Sequence, residues 1–503
     1  MAAFGIHFGT CSSCLAVYKD GQTDVIANDL GDRVTPCVVA FTEYEQSVGA
    51  AAKQGIIRNA NNSICHVKKV IGRDFNDALV QDYISTWPVT VTNKDGFCQF
   101  DVEYKGKPAS FSPVEIASNI YAKMLETAES HGGRGIKDAV LAVPSNFTPK
   151  QRELISEAAS KAGFNVLRLI NEPAAAALAY DLGQEKHNEE CCVLVLRLGG
   201  TSTDATILQV NHGIYQVISS VTLEKYGGEN FTDVLTENLV SEFKRQAKCD
   251  IKDNRRSMTK LRLAAEMCKH TLSTLPNAQC AVDSLYDGID FHYNVSRGRF
   301  EILCNNLLQQ CVQLIEQILR EAKLSKSDIN KVILCGGGAN VPILQKSISE
   351  CLLDSVLLTS ITCDEVIAIG AAKQTAFLVG KEPGDIKRNA ESNEIRCLSH
   401  DVAVKVENES NKPLIVLPKS SLIPSRKQHS FILQEEQTTL RMEIYEMGSD
   451  DQSQDLLAKI IMRDLPAGAT IQSSFHLRRD GDLHITCQET TSKKEESVTI
   501  AIS

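Results

Sequence analysis

Residues 193–210, VLVLRLGGTSTDATILQV, decide the fold of this chain, because they predict a strand, a Gly-Gly-Thr turn and a second strand. The same plan occurs near the N-terminus, where residues 4–20 read FGIHFGTCSSCLAVYKD. An echo that returns after about 190 residues is typical of a duplicated lobe rather than of a short-period solenoid. The two segments therefore predict one unit that is built twice.

A third glycine-rich turn, Gly336–Gly338, follows a predicted strand at Val332–Leu334. Glycines at such turns let backbone N–H groups approach an anion closely, which is how proteins commonly hold phosphates. The chain contains no Walker A motif, no G-x-G-x-x-G after the first strand and no H-E-x-x-H. Three turns in one region favour nucleotide or phosphate binding, and the alternative of glycines that serve only as turns stays open.

Around these turns, residues 1–380 alternate short apolar runs with amphipathic stretches, a pattern typical of α/β architecture. One helix is predicted at both ends, with Thr148 as its N-cap and Gly163 at its end. A strand is predicted at Val166–Ile170, and a second helix begins near Pro173.

A polar stretch at 381–394 predicts a solvated linker between the α/β head and a tail. Residues 395–503 contain short, partly alternating runs separated by turn signals such as Asp480-Gly481. This pattern predicts a small antiparallel β-sandwich. The predicted strands are Asp401–Val406, Leu414–Leu417, Gln428–Leu433, Thr439–Tyr445, Lys459–Met462, Ile471–Leu477, Leu483–Cys487 and Val498–Ile502.

Length and composition limit the possible functions. A chain of 503 residues exceeds a single core and predicts two or more domains. The net charge of −10 argues against general binding to nucleic acid, so no direct DNA binding is expected. No secretory leader and no apolar run long enough for a membrane span is found, so we expect a cytosolic protein without membrane contact.

The 17 cysteines show no disulfide-framework spacing and are interpreted as reduced thiols. Cys11 and Cys14 form a C-x-x-C pair, but no second ligand pair follows at zinc-site spacing. We therefore interpret the two cysteines as small residues of a hairpin rather than as a redox or metal pair.

Eight segments carry a resemblance to a known family. In chain order they are GIHFGT at 5–10, VKKVIGR at 67–73, AVPSNF at 142–147, RLINEPAAA at 168–176, GGT at 199–201, GGENF at 227–231, DSLYDG at 283–288 and GGG at 336–338. Together they resemble the seventy-kilodalton heat-shock chaperone family over essentially the whole head. The tail resembles that family more loosely, with its best landmarks at 422–424 and 480–486.

The resemblance implies an actin-like, ribonuclease H-like duplicated ATPase head that binds ATP between two lobes. It implies a C-terminal antiparallel β-sandwich at 395–503, where we expect neither the family's helical lid nor its acidic docking tail. The linker of typical members is rich in leucines between acidic residues, whereas the stretch here is polar.

The resemblance also implies roles for individual residues. Lys68, Glu172 and Asp204 match catalytic positions, and Pro144 and Arg152 match the interlobe switch. The positions that match the ATP site are Gly9, Thr10, Lys68, Arg197, Gly199, Gly200, Thr201, Gly228, Glu266, Lys269, Ser273, Gly336, Gly337, Gly338 and Asp364.

Two departures from the family pattern bear on catalysis. His7 and Arg197 stand where typical members place the aspartates that hold hydrated Mg²⁺. Neither residue can act as a carboxylate, and Arg197 brings a fixed positive charge that repels the metal. We therefore expect no protein-held metal and ATP binding that needs little Mg²⁺, with slow or no hydrolysis and with His7 and Arg197 neutralising the phosphates. A degraded, empty site is the alternative.

Three functions follow as hypotheses. The first is a non-cycling chaperone subunit that pairs with a J-domain protein on the ribosome and assists nascent polypeptides indirectly, as the short members that it most resembles do. The second is an active ATPase that binds client peptides itself. The third is a different actin-like enzyme such as a sugar kinase, which needs a catalytic base and a sugar pocket.

Overall fold

The computed structural model describes most of the chain in two compact units, residues 1–381 and 382–503. The described residues are 2–133, 135–184, 191–211, 213–378, 398–406, 413–419, 421, 423, 425–434, 437–447, 454–478 and 481–501. The predicted linker at 381–394 lies outside them, as do Leu422, Pro424 and Asp480 of the tail landmarks. Within these ranges no helix is both long and apolar enough to cross a membrane.

The first unit, called the head, is built from strands and helices that alternate along the chain. Its strands are β1 Ala2–Phe8, β2 Ser12–Lys19, β3 Gln22–Val25, β4 Val34–Pro36, β5 Val38–Phe41, β6 Gln46–Val48, β7 Ser63–Cys65, β8 Thr90–Lys94, β9 Phe97–Tyr104, β10 Lys107–Phe111, β11 Asp138–Val143, β12 Asn165–Asn171, β13 Cys191–Leu198, β14 Thr203–Asn211, β15 Ile214–Leu223, β16 Asn277–Tyr286, β17 Ile289–Ser296, β18 Lys331–Cys335 and β19 Val356–Leu358. Its α-helices are α1 Ala50–Gly55, α2 Ala78–Thr86, α3 Pro113–Ala128, α4 Pro149–Lys161, α5 Glu172–Ala179, α6 Gly228–Ala247, α7 Arg255–Thr274, α8 Arg297–Leu303, α9 Asn305–Ala322, α10 Pro342–Cys351 and α11 Val366–Thr375.

Two sheets of the head repeat one plan. The first runs β12-β11-β1-β2-β3 with β4 beside β2, and the second runs β15-β14-β13-β18-β19. In the first sheet β1 pairs parallel with β11 and antiparallel with β2, and in the second β13 pairs parallel with β18 and antiparallel with β14. The two sequence segments that echo each other are thus equivalent central hairpins. We call the parts built on these sheets the first and second lobes.

Strand β13 is buried along its whole length, which explains why its sequence is apolar except at Arg197. Leu194, Leu196 and Leu198 pack into the core of the second lobe with residues of α6, α7 and α9. Val193 and Val195 pack on the opposite face with α5 and α11. The same cluster contains residues of β11 from the first lobe, so α5 and α11 share a core with both sheets.

Helices α5 and α11 approach each other closely because small residues face the contact. A Cβ on Gly370 of α11 would overlap the backbone of Ala175 in α5, and a Cβ on Gly5 of β1 would overlap the α11 backbone. Glycine is therefore required at both positions by space rather than by backbone conformation.

The predicted capping signals are confirmed around α4 and α5. Thr148 and Gln151 form a reciprocal capping box, and Pro149 is the first residue of α4. Gly163 has a φ of +106°, as expected after a helix C-terminus. Helix α5 begins at Glu172, one residue before the predicted start, which places this carboxylate directly after β12.

The second unit consists of two four-stranded antiparallel sheets, β21-β20-β23-β24 and β22-β25-β26-β27. Alternate residues of both sheets, among them Val404, Ile444, Phe475 and Ile485, belong to one buried cluster. Each predicted tail strand overlaps an observed one. The strands are β20 Asp401–Val406, β21 Leu414–Leu417, β22 Ser425–Ile432, β23 Leu440–Met447, β24 Gln454–Met462, β25 Thr470–Leu477, β26 Asp482–Glu489 and β27 Glu495–Ala501.

Candidate functional site

The ends of the two central strands bring charged side chains of both lobes together. His7 is the penultimate residue of β1 and Arg197 the penultimate residue of β13. Glu172 opens α5 directly after β12, and Lys68 lies in a 3₁₀ turn at Val67–Lys69. Because parallel strands of equivalent sheets end at equivalent edges, residues that are distant in sequence converge here.

Glu172 is the centre of this cluster. Its Oε1 accepts a hydrogen bond of 2.8 Å from Lys68 Nζ, and His7 Nε2 lies 3.5 Å from the same oxygen. Its Oε2 lies 3.0 Å from Arg197 Nε. Lys68 Nζ also donates to the carbonyl oxygen of Phe8 at 2.7 Å. All four residues, His7, Lys68, Glu172 and Arg197, are buried.

The guanidinium of Arg197 joins a second carboxylate to the first. Arg197 Nη2 pairs with Asp204 and donates to Ser202 Oγ at 3.0 Å. Asp204 also accepts a hydrogen bond of 2.6 Å from Thr222 Oγ1. Two cations and two carboxylates therefore balance within one buried cluster, which is the condition for keeping such charges away from water.

The pKa values follow from this pairing. Burial alone would raise the pKa of Glu172, but Lys68, Arg197 and His7 hold it well below its usual range. Burial lowers the pKa of His7 more than Glu172 raises it, so the imidazole is neutral near pH 7. Burial would lower the pKa of Arg197, yet Asp204 and Glu172 raise it.

These contacts bear on whether the protein itself can hold Mg²⁺. The ion prefers oxygen ligands in near-octahedral geometry. Here the carboxylates of Glu172 and Asp204 are both engaged by Arg197. A metal would have to displace a buried arginine whose charge opposes it. The residues present therefore do not fit a protein-held Mg²⁺.

The phosphate-type turns lie beside this cluster. Gly9 N donates to Ser12 O at 3.1 Å, and Gly199 N donates to Ser202 O at 2.9 Å, so the two hairpin turns are equivalent. A Cβ on Gly199 would lie 2.5 Å from Arg197 Nη1, which places the guanidinium against this turn. Gly336 has a φ of +85° and packs on the carbonyl of Leu198.

The turns also contact one another and border a small cavity. The backbone N–H of Gly228 donates to Gly199 O at 2.8 Å, and that of Glu229 donates to Gly200 O at 2.8 Å. The cavity lies between the two lobes. Among the residues that line it are Thr10, Lys68, Arg197, Thr201 and Asp204. Pro144 lines it as well, so six predicted site residues from both lobes face one space.

The predicted adenosine-side residues are only partly brought together. Lys269 Nζ donates to Gly228 O at 2.9 Å and to Thr232 Oγ1 at 2.8 Å. Glu266 pairs with Lys53 of the first lobe at 2.8 Å, and Ser273 Oγ donates to a carbonyl of its own helix. These side chains are thus engaged by protein groups.

Asp364 is the exception among the adenosine-side residues. Its Oδ1 is buried, and no described residue gives it a hydrogen bond. A buried acceptor without a donor indicates a missing ligand or water. This free acceptor fits a nucleotide at the adenosine position that the family resemblance implies for Asp364.

Arg152, a predicted switch residue, connects the loop after β11 to the cluster. Its side chain donates to the carbonyl oxygens of Pro144, Ser145 and Phe147 at 3.0–3.2 Å. It also donates to Asn171 Oδ1 at 2.8 Å, directly before Glu172. The predicted pair Pro144 and Arg152 is thus in direct contact.

One constellation was missed by sequence reasoning. Cys11, His66 and Glu229 lie together between the lobes although 55 and 218 residues separate the last two from Cys11. His66 Nε2 is 3.0 Å from Glu229 Oε1, and although burial would lower the pKa of His66, Glu229 and Cys11 raise it to about 10. No spacing motif could have revealed this group, because only the fold joins its members.

Comparison with known proteins gives the family of the chain. A family model described as Hsp70 protein matches residues 3–503. The chain belongs to the Hsp70 family. Heat shock 70 kDa protein 14 of Danio rerio is 43% identical over 505 residues, 99% of each chain. The proteins of that name from Xenopus tropicalis and Mus musculus are each 42% identical, over 99% and 100% of each chain.

Membership of the Hsp70 family covers both units of the chain. The family binds nucleotide in an actin-like ATPase fold, in agreement with the duplicated sheets and with the predicted class of the head. The sugar-kinase hypothesis has no support among these matches. The names of the relatives do not mention a ribosome or a J-domain partner.

Proposed function

We propose that this Hsp70 protein binds ATP and hydrolyses it slowly or not at all. The observation that supports this proposal best is that Arg197 pairs with both Glu172 and Asp204. At the same time, the glycine turns keep their backbone hydrogen bonds. The turns supply backbone donors for an anion, and the arginine occupies the carboxylates that a metal would need.

Retained binding is supported by the positive charge around the cavity. Lys68 and Arg197 both line it, and Arg197 Nη1 lies against the Gly199 turn. A planar guanidinium suits phosphate oxygens, and charge-assisted hydrogen bonds are about twice as strong as neutral ones. The unpaired Asp364 oxygen offers an acceptor at the adenosine end.

Slow hydrolysis follows from the loss of metal organisation. Phosphoryl transfer depends on positioning and on neutralising charge in the transition state. Lys68 is held by Glu172 and by the Phe8 carbonyl, so its ammonium group is already engaged. Losing several kcal/mol of stabilisation slows the reaction steeply, since each ~1.4 kcal/mol is a factor of ten in rate.

We further propose that the protein acts in the cytosol as a chaperone subunit. It would pair with a J-domain protein at the ribosome and assist nascent polypeptides through a second, active chaperone. Support comes from the resemblance of the chain to short family members and from the two-sheet tail, which we interpret as the family's β-sandwich. A pull-down with a J-domain protein and co-sedimentation with ribosomes test this part.

The nucleotide part is tested by calorimetry and single-turnover hydrolysis, each with Mg²⁺ and with chelator. We expect tight ATP binding in chelator and negligible hydrolysis. The variant Arg197→Asp removes the guanidinium from the Gly199 turn, so ATP affinity in chelator should fall at least tenfold. Equal affinity in the two proteins would contradict a direct phosphate role for Arg197.

An active ATPase that binds clients itself is the second candidate. The intact Lys68–Glu172 pair at 2.8 Å favours it, because both residues match catalytic positions of the family. Mg²⁺-dependent turnover at the rate of active chaperones would support this candidate and exclude the first. An absence of ATP binding under both conditions would exclude both.

A further inference from the structure

Three metal-ligating atoms meet between the lobes, outside the ion-pair cluster around Glu172. Cys11 lies in the turn between β1 and β2, His66 precedes the 3₁₀ turn that carries Lys68, and Glu229 lies in the first turn of α6. Cys11 Sγ is 3.4 Å from His66 Nε2 and 3.8 Å from Glu229 Oε1, and the latter two atoms are 3.0 Å apart.

We propose that Cys11, His66 and Glu229 form a binding site for zinc or a similar borderline-soft divalent ion. Zn–S bonds of about 2.3 Å and Zn–N or Zn–O bonds of about 2.0–2.1 Å place tetrahedral ligand atoms about 3.3–3.6 Å apart. Of the three observed separations, 3.4 Å lies within this range, 3.0 Å lies below it and 3.8 Å lies above it. Coordination therefore requires only small side-chain movements.

The ligand types select the class of metal. A thiolate and an imidazole favour zinc and other transition metals over Mg²⁺ and Ca²⁺, which prefer oxygen. The thiolate and the carboxylate together balance a dication, so the occupied site has no net charge. Three protein ligands leave one tetrahedral position open to water.

Neighbouring residues already orient the ligands. His66 is 5% exposed, and the edge of its ring contacts Trp87 with the ring centroids 4.6 Å apart. Arg262 Nη2 lies 3.6 Å from the second oxygen of Glu229, which leaves Oε1 facing Cys11 and His66. Sγ of Cys11 fills the space where a Cβ on Gly200 would lie, so the thiol has little freedom.

One feature limits the expected affinity. A histidine ligand usually donates its second ring N–H to an acceptor, and loss of that partner weakens metal binding by about 10–100-fold. His66 Nδ1 is buried and has no hydrogen-bond partner among the described residues. We therefore expect weaker binding than at a structural zinc site of four protein ligands.

The distances also fit a group in which Cys11, His66 and Glu229 are hydrogen-bonded without a metal. The experiment must therefore distinguish a metal site from such a metal-free triad. The full-length protein is stripped with chelator and titrated with Zn²⁺ against a competing zinc indicator. In parallel, Co²⁺ is added and the thiolate-to-cobalt charge-transfer band is recorded. We expect one equivalent of bound zinc and a cobalt–thiolate band.

Variants assign the metal to this site. Cys11→Ser and Glu229→Gln should each weaken zinc binding at least tenfold, and Cys11→Ser should abolish the cobalt–thiolate band. His66→Asn should act similarly, and asparagine tolerates the φ of 54° at this position. The matched control is Cys351→Ser, because Cys351 is also a partly exposed free thiol but lies at the end of α10.

Several outcomes would overturn the proposal. These are no zinc binding by the wild-type protein, equal affinity in wild type and Cys11→Ser, or an equal loss in Cys351→Ser. If Cys11→Ser fails to fold by circular dichroism, the wild-type cobalt spectrum decides, since a spectrum without a thiolate band excludes Cys11 as a ligand. No nucleotide is needed, so the result is independent of the proposed ATP binding.

Discussion

Arg197 is the residue on which the electrostatic balance of the head depends. It engages two carboxylates in a cluster where each charged residue except Asp204 is buried. A buried cation that is removed leaves its partners uncompensated, and this loss is larger than the net contribution of the pair. At this scale the residue is a structural element as well as a candidate ligand for phosphate.

We predict that Arg197→Met lowers the free energy of unfolding by about 3–5 kcal/mol, because Glu172 and Asp204 lose their shared cation. Urea denaturation without nucleotide measures the change. Arg245→Met is the control, since Arg245 pairs with Glu242 but its side chain is 70% exposed, and it should cost less than about 1 kcal/mol. Similar costs for the two variants would show that Arg197 is not needed for this balance.

Glu172 predicts a dependence of stability on pH. Its pKa in the folded protein is held well below the ordinary value of 4.5. A carboxylate whose pKa is lower in the folded protein than in the unfolded chain stabilises the fold at pH values above its unfolded pKa. This contribution is lost as the pH falls below about 4.5. Glu172→Gln should therefore lose less stability than wild type between pH 6 and pH 3 (roughly the span of carboxylate titration). Urea denaturation at a series of pH values measures the free energy of unfolding of both proteins. If this free energy falls equally with pH in wild type and in Glu172→Gln, the role of Glu172 is refuted.

At the scale of elements, the contact between α5 and α11 holds parts of both lobes in one core. Gly370 allows this contact because a Cβ would overlap the backbone of Ala175, which cannot move as a flexible side chain could. Overpacking of this kind is expected to displace a helix rather than a rotamer.

We predict that Gly370→Ala destabilises the protein by about 1–3 kcal/mol through this overlap. Gly298→Ala in α8 is the matched control, because no atom lies within 4 Å of its added Cβ. That change should be neutral or stabilising by up to about 1 kcal/mol, as alanine favours a helix. Thermal unfolding gives the melting temperature of each variant relative to wild type. If both melting temperatures shifted in the same direction, the packing argument would be contradicted.

The sequence predicted the tail strands and several elements of the head because their signals are local. Caps and periodicity defined α4, and alternation defined the tail strands. Strand β24 begins at Gln454 rather than at Lys459. Leu457 is an extra residue in the pairing of β24 with Ile444 and Tyr445 of β23, and this bulge breaks the alternation. The contacts of the site were not predictable in this way. The sequence predicted that Arg197 contacts only phosphate. The fold shows that it also pairs with Glu172 and Asp204, which are distant or unmarked as partners in the sequence.

At the scale of the molecule, the candidate nucleotide residues all lie in the first unit, whose cores are separate from that of the tail. We predict that a fragment of residues 1–381 folds cooperatively and binds ATP within about threefold of the full chain, a difference below ~1 kcal/mol. Calorimetry on both proteins tests this, with Arg197→Asp in the fragment as the control. A fragment that folds but loses most of its affinity would show that the tail contributes to the site.

The exclusion of a protein-held metal by Arg197 has a consequence for timing. An enzyme that hydrolyses its nucleotide changes state after an interval set by its own rate constant. If hydrolysis is negligible, ATP leaves only as ATP, and the occupied fraction of the protein is an equilibrium set by the surrounding concentration. Because of this arginine, the state of the protein would depend on the ATP concentration rather than on the time since ATP was bound. Any partner that prefers the ATP-bound form would then bind in proportion to that concentration.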